Sequence, residues 1–220
     1  MQLKGYYFKM TRKEYKKPRD FWGNPEKAKE WIKRVEYKAK SFEGRNTTVL
    51  SIRQLLKDIE PYNKEFNSVL EVGAGNGRLI SAISKTYPDK RCCSVDINSG
   101  LSKYIHEKYP QIETFVGEVA KLPLEDNSFD LVYTYQVLQH VPCEEIKDAL
   151  SELQRVAKKE VWLMEGYDAH NEKEKNGIMR TNADGGTYSW FFDKLVKCYS
   201  VEDQKNEINL GTRLYKIKVK

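Results

Sequence analysis

What the chain lacks narrows its candidates first. None of its 220 residues belongs to an apolar run approaching the roughly 20 needed to cross a bilayer. The opening MQLKGYYFKM also lacks the apolar stretch of a secretory signal. A cytoplasmic protein without a membrane span is therefore expected. Cysteine is scarce, and Cys92, Cys93, Cys143 and Cys198 form no CxxC pair. The adjacent Cys92 and Cys93 would point to opposite faces of a strand, so the four read as reduced, mostly buried thiols and no metal site is expected. There is no GK[ST] for a nucleoside triphosphate, no internal repeat and no low-complexity linker.

Negative charge is scarce at one end. The formal total is +6, yet residues 1–40 carry 13 Lys/Arg against 5 Asp/Glu, leaving 25 against 27 for the rest. Such a segment can attract an anionic partner such as RNA or a phosphorylated substrate. It reads equally as a solvated helix face, since in PEKAKEWIKRVEYKAKSF an apolar stripe of Trp31, Ile32, Val35 and Ala39 runs between lysines. With 40% hydrophobic residues the chain can bury one globular domain with a small appendage.

What is present is alternation. NTTVLSIRQLLKDI predicts a helix capped at Asn46 or Thr47 and ended by Pro61. From Asn67 on, SVLEV, RCCSVDI, IETFV, FDLVYTY and EVWLME read as buried strands. SAISKTY, LSKYIHEKY and EIKDALSELQRVA read as the helices between them. This order predicts an α/β fold with a mostly parallel sheet and helices on both faces. Two final runs, VKCYSVED and TRLYKIKVK, predict an antiparallel hairpin at the C-terminal edge, for seven strands in all. Residues 1–66 would form an N-terminal helical lid and residues 67–220 the core.

In an open sheet of this kind the ligand lies at the carboxyl ends of the strands. The first strand-to-helix turn holds Gly73, Gly75 and Gly77, which permit positive φ and close approach of a ligand to the backbone. The spacing is GxGxG rather than the GxGxxG of a dinucleotide site, and Glu71 precedes it, so a pyrophosphate ligand is not expected. Asp96 ends the second strand nineteen positions after Gly77, where a carboxylate can accept both hydroxyls of a ribose. Capping of the next helix would suit Asn98 or Ser99 better. Glu118 stands just past the third strand, placed to accept from an exocyclic amine, and Val119 beside it could cover an adenine face.

These residues carry a resemblance. VLEVGAGNGR, VDIN, GEVAKLPLEDNSFD and VLQHV, in order between Ser68 and about Glu165, resemble the motifs of class I S-adenosylmethionine-dependent methyltransferases. The resemblance implies a Rossmann-like fold and S-adenosyl-L-methionine as cofactor. It further implies that Glu71, Gly73, Ala74, Gly75 and Gly77 hold the amino-acid portion, Asp96 with Ile97 the ribose, and Glu118 with Val119 the adenine. Two features depart from the common pattern. AKKEVWLME enters the fifth strand without a proline-glycine turn, and EGYDAHNEKEKNGIMRTNADGGTYSWFFDKL, like the early RNTTVL, is faintly similar to methylases associated with pseudaminic acid and other surface sugars.

Methyl transfer from a sulfonium is an in-line displacement that needs alignment and, for a hydroxyl or ammonium nucleophile, a proton acceptor. His140 is the leading candidate for that acceptor, or else a core or capping imidazole. Tyr135 and Gln136 lie near the same point, and Asp168 and His170 follow the fifth strand at the same rim. Arg45, in the link between the two N-terminal helices, either reaches a carboxylate of cofactor or substrate or decorates a surface turn. The absence of an Asn/Asp-Pro-Pro-Tyr segment argues against base-amine methyltransferases. Three functions remain open: a small-molecule or sugar methyltransferase, an RNA methyltransferase using the basic N-terminus with its tyrosines and tryptophans, and a non-catalytic cofactor-binding subunit.

Overall fold

Five runs form the five parallel strands; four of them are nearly continuously buried, because a strand covered on both faces has no position to give to water, while the edge strand, the third in chain order, is largely exposed. They are β1 (Ser68–Val72), β2 (Arg91–Asp96), β3 (Glu113–Val116), β4 (Phe129–Tyr135) and β5 (Ala157–Gly166). The structure is a computed structural model describing residues 20, 22–33, 47–142, 144–166, 179–181, 188–190, 201–205 and 212–219. Four helices are α1 (Thr47–Ile59), α2 (Arg78–Thr86), α3 (Ser99–Lys108) and α4 (Ile146–Val156), and residues 27–33 are also helical. The C-terminal part adds a short antiparallel pair, β6 (Met179–Thr181) and β7 (Tyr188–Trp190), which the sequence pattern does not suggest. The expected edge hairpin follows as β8 (Val201–Lys205) and β9 (Thr212–Lys218), with β9 antiparallel to β5.

Side chains alternate between two cores. α4 buries Ile146, Ala149, Leu150, Leu153 and Val156 at helical spacing against Leu70, Val72, Cys93 and Val132. On the other face Leu79, Ile80 and Ile83 of α2 join Leu55 and Ile59 of α1, Ile105 of α3, and Val69, Cys92, Tyr133 and Trp162 of the strands. Cys92 and Cys93 therefore do part to opposite faces, as free thiols that burial pushes up to about 11 and about 12. α1 ends at Ile59 and passes into a short turn through Pro61. α4 ends at Val156 and β5 starts at Ala157 with nothing between them, as the missing proline-glycine turn implies. α1 shares its core with β1, so residues 47–66 pack with the sheet rather than apart from it.

The sheet order is β3-β2-β1-β4-β5-β9-β8. The chain builds outward from β1 through β2 to β3, then returns to lay β4 on the other side of β1. Between the carboxyl ends of β1 and β4 the following loops part in opposite directions, and a cleft opens there.

One polar contact sets how β1 meets β4. A register shift interrupts the β4–β5 pairing at Asp130, whose Oδ2 accepts the Asn67 and Ser68 N–H at 2.8 and 3.2 Å. Ser68 Oγ in turn accepts the Asp130 N–H at 2.9 Å. Burial works to raise this carboxyl, but the Asn67 N–H and the Lys159 ammonium, 3.6 Å away, outweigh it and hold the pKa below its ordinary value. We predict that Asp130→Ala lowers the unfolding free energy by about 2–3 kcal/mol at pH 7, since two strand-start N–H groups lose their acceptor. Because the folded-state pKa is depressed, the difference should shrink as pH falls through it, as urea titrations at pH 7 and below can measure.

Candidate active site

The turn after β1 holds three non-helical glycines with distinct tasks. Gly73, Gly75 and Gly77 have φ of 74°, 59° and 71°, a region costly for side chains. A Cβ on Gly73 would lie 2.4 Å from Val137 Cγ2, so its absence lets the loop after β4 press against this turn. A Cβ on Gly75 would meet only Trp31 Nε1, at 3.3 Å. Gly77, grouped by spacing with the ligand-facing glycines, instead faces Ile105, whose Cγ1 would be 2.9 Å away, and it does not line the cleft. Its bareness serves the packing of α2 on α3.

Three buried carboxyls hold the loops around the cleft. Asp96 at the end of β2 accepts the Gly75 N–H on Oδ2 and the Asn98 N–H on Oδ1, each at 2.8 Å. Burial raises it to about 6 against those two bonds. Glu71 in β1 accepts the Ile80 N–H at 2.9 Å. Burial lifts Glu71 to about 8, although Arg78 and the Tyr133 hydroxyl pull the other way. Glu165, with no exposed surface, accepts from Thr134 Oγ1 at 2.7 Å and from the Val137 and Leu138 N–H at 3.2 Å each. Burial raises it to about 7. Glu165 thus anchors the loop after β4 from beneath, while Gln136 takes the unusual φ of 56° and donates its N–H to Met164 O at 2.8 Å.

That loop carries the candidate chemistry. Tyr135 is fixed at both ends, its hydroxyl 2.6 Å from Ser51 Oγ of α1 and its ring 5.3 Å from the Arg78 guanidinium. His140 ends a short helical turn, Leu138–His140. Its ring lies 4.7 Å from the Trp22 ring, and its Nε2 is 3.4 Å from Gln139 Nε2. In the Nδ1–H tautomer that nitrogen accepts from the amide. Trp22 also meets Trp31 edge-on at 5.1 Å, so residues 22–33 bring two indoles to the rim.

The cleft has a volume of about 300 Å3. Glu71, Gly73, Ala74, Gly75, Asp96, Ile97, Glu118, Val119, Tyr135, Gln136 and His140 all line it. The fold brings all of these expected residues together. Arg45, Asp168 and His170 lie outside the described residues. Sequence reasoning missed Arg78, Gln139 and Glu145, which also line the cleft. For Arg78 a signal was available: a cation at the first position of α2 opposes the helix dipole, so it has another use. Its buried Nε has no hydrogen-bond partner among the described residues. No group of metal-binding side chains occurs among the described residues, and none of their helices is long and apolar enough to cross a membrane.

Comparison with known proteins bears on the fold and on residues 70–164. Residues 70–164 match the family model described as a methyltransferase domain. An uncharacterized methyltransferase of Schizosaccharomyces pombe is 36% identical over 94 residues, covering 43% of this chain and 36% of the relative. A malonyl-[acyl-carrier protein] O-methyltransferase of Methylococcus capsulatus is 31% identical over 91 residues, 40% of this chain and 32% of the relative. The chain thus matches well under half the length of these relatives. Among solved structures, magnesium protoporphyrin IX methyltransferase of Synechocystis with bound SAH superposes at a TM-score of 0.66 and 15% identity over 89% of this chain and 96% of that one. A TehB-like SAM-dependent methyltransferase of Corynebacterium glutamicum gives 0.63 at 17% identity, over 90% and 100%. The chain shares the Rossmann-like α/β fold of these methyltransferase structures, and its residues 70–164 match a methyltransferase domain.

The buried carboxyls have a measurable consequence. A carboxyl whose folded pKa lies above its unfolded value binds a proton on folding, so its contribution is complete below the unfolded value and is lost as pH rises through the folded one. For Glu71 that window runs from 4.5 to about 8. We expect the ligand-free protein to lose stability between pH 5 and pH 8, and Glu71→Gln to flatten that slope by up to about 1.4 kcal/mol per pH unit. Parallel denaturant titrations of the two proteins across this range measure the difference, and equal slopes would remove Glu71 as its source.

Proposed function

We propose that this chain binds S-adenosylmethionine in the cleft and transfers its methyl group to an oxygen or nitrogen of a small-molecule or sugar-type acceptor. The observation that carries the reading is Asp96, a carboxylate 7% exposed at the cleft wall. Two backbone N–H groups fix it, yet each oxygen keeps a free lone pair for a ribose hydroxyl. The donor set fits the whole cofactor. Gly73, Ala74 and Gly75 leave backbone bare for the amino-acid portion, with Arg78 offering a cation to its carboxylate and Glu71 a carboxyl that gives up its proton when the ammonium docks. Glu118 and Val119 suit the adenine. The names of the curated relatives include O-methyltransferases, which supports an oxygen acceptor as one class.

When bound, S-adenosylmethionine supplies an electrophilic methyl on a sulfonium. The protein's part is alignment, worth on the order of several kcal/mol when reacting groups are held in line. Tyr135, fixed by Ser51 and Arg78, and Gln136, fixed by Met164 O, shape the acceptor side. Trp22 and Trp31 exclude water over it. His140 accepts the proton of a hydroxyl or ammonium nucleophile on Nε2, the one lone pair of which must leave the Gln139 amide to do so. In this reading the lid of the N-terminal segment is its part before α1, with residues 22–33 reaching the cleft, while α1, packed with the sheet, braces Tyr135.

The test uses S-adenosylhomocysteine and calorimetry. Asp96→Ala should weaken binding by about 2–4 kcal/mol, the worth of two charge-assisted hydrogen bonds. Ribose hydroxyls donate to the ionised carboxylate, and its pKa stands at about 6. Affinity should therefore fall about tenfold from pH 7.5 to pH 5 in the native protein, and far less in Asp96→Asn. Unchanged affinity in Asp96→Ala would refute the ribose assignment.

A further inference from the structure

Asn98 does more than begin a helix. It is 2% exposed, and its side chain is divided between two tasks. Oδ1 accepts the Gly100 and Leu101 N–H at 2.9 and 3.3 Å, the ordinary work of a helix cap. Nδ2 donates to the carbonyls of Trp22 and Asn24, both at 2.8 Å, across 76 and 74 residues of sequence. Capping needs only the oxygen. The amide protons hold another segment, and the same residue's backbone N–H holds Asp96 Oδ1.

The neighbouring position is shaped for the same contact. A Cβ on Gly100 would lie 2.8 Å from Ala28 Cβ and 3.0 Å from Pro25 O, so glycine lets the 22–33 segment sit flush on the start of α3. Ala28 is buried there, 4% exposed. Seated in this way, Trp22 reaches His140 and Trp31, and Trp31 stands over Gly75.

We propose that Asn98 is a positioning residue, a latch whose carboxamide seats residues 22–33 so that Trp22 and Trp31 wall the acceptor side of the cleft. Through its backbone N–H the same residue ties that seat to Asp96, so a ligand at Asp96 and seating of the segment stabilise one another. This second clause rests on the S-adenosylmethionine reading.

Three substitutions separate the latch from the cap. Asn98→Asp and Asn98→Ser both keep a good capping acceptor but lose the paired donation to Trp22 and Asn24, and serine does so without added charge. Gly100→Ala keeps the Asn98 side chain and favours the helix but obstructs the seat, its Cβ falling 2.8 Å from Ala28 Cβ and 3.1 Å from Asn98 Oδ1. Each full-length protein is digested with trypsin, and cleavage at Lys27, Lys29 and Lys33 is timed by mass spectrometry, with and without S-adenosylhomocysteine. The latch predicts cleavage at these sites at least about tenfold faster in all three variants, the effect of losing a hydrogen bond or more. It predicts melting temperatures within about 3 °C of the native protein, since the core is untouched. In the native protein, saturating S-adenosylhomocysteine should slow the same cleavages. Native cleavage rates in the variants, or a general fall in melting temperature with cleavage spread through the core, would overturn the latch. Binding of S-adenosylhomocysteine without any slowing would overturn the coupling to Asp96. Absence of binding to the native protein, with cleavage still faster in the variants, would instead remove the cofactor reading and leave the latch standing.

Discussion

The site is organised around one buried carboxylate. Asp96 ends β2, and its two oxygens take N–H groups from different parts of the chain: Gly75 in the turn after β1 and Asn98 at the start of α3. The carbonyl before it, Val95 O, accepts the Gly73 and Ala74 N–H as well. The glycine turn cannot shift relative to β2 without breaking this set. Two further parts of the cleft are placed by reference to it. Gly73 admits Val137, which fixes the loop after β4, and Asn98 admits the segment bearing Trp22 and Trp31. A water-excluded carboxylate is costly by itself, and the raised pKa of about 6 is the trace of that cost. It is tolerated because one group satisfies donors on both sides and retains lone pairs toward the cleft.

Glu71 and Glu165 repeat the device at the ends of β1 and β5. Glu165 accepts from the first N–H groups of the loop after β4, and Glu71 from Ile80 in the first turn of α2, N–H groups that have no strand or helix partner of their own. The backbone above can then adopt conformations that would not persist unaided, such as Gln136 at φ of 56°. These segments are held by hydrogen bonds to buried carboxyls as well as by apolar packing, since Val137 presses on Gly73 and Leu138 lies in the core. Proton uptake by the same groups makes the loops sensitive to pH, while the two apolar cores on either face of the sheet remain indifferent to it.

How much of this was legible in the sequence depends on the reach of each signal. β1 to β5, the helices between them, the turn at Gly73 and Gly75, Asp96 and Glu118 were readable because each is a local pattern, with periodicity, punctuation and a residue type at the end of a strand. Gly77 shows the limit of such reading: its positive φ is visible as a glycine, but whether the missing Cβ admits a ligand or Ile105 is decided by α3 packing from elsewhere. Glu165 was legible as the last residue of EVWLME and illegible as an anchor, because its partners lie 27 to 31 residues earlier. Asn98 was legible as a cap and not as a seat for a segment 74 residues away. The pair β6 and β7 is three residues per strand, too short to show any period.

The division of labour within the chain follows from this. The matched stretch, residues 70–164, contains the glycine turn, Asp96, Glu118 and the loop bearing His140, which under the proposed function supply cofactor binding and proton transfer. Trp22 and Trp31 line the cleft from outside that span, and Ser51 of α1 meets the Tyr135 hydroxyl from outside it too. The glycine turn and Asp96 are thus held by local geometry within a continuous stretch. The outer wall of the cleft arrives from a separate segment and is joined to the first by a few directed hydrogen bonds, at Asn98 and at Tyr135; under the proposed function this is the wall that meets the acceptor. Such joints let the acceptor wall change without disturbing the carboxylate and glycine turn beneath it. They also make alignment of the two sides, rather than either side alone, the property on which an in-line transfer depends.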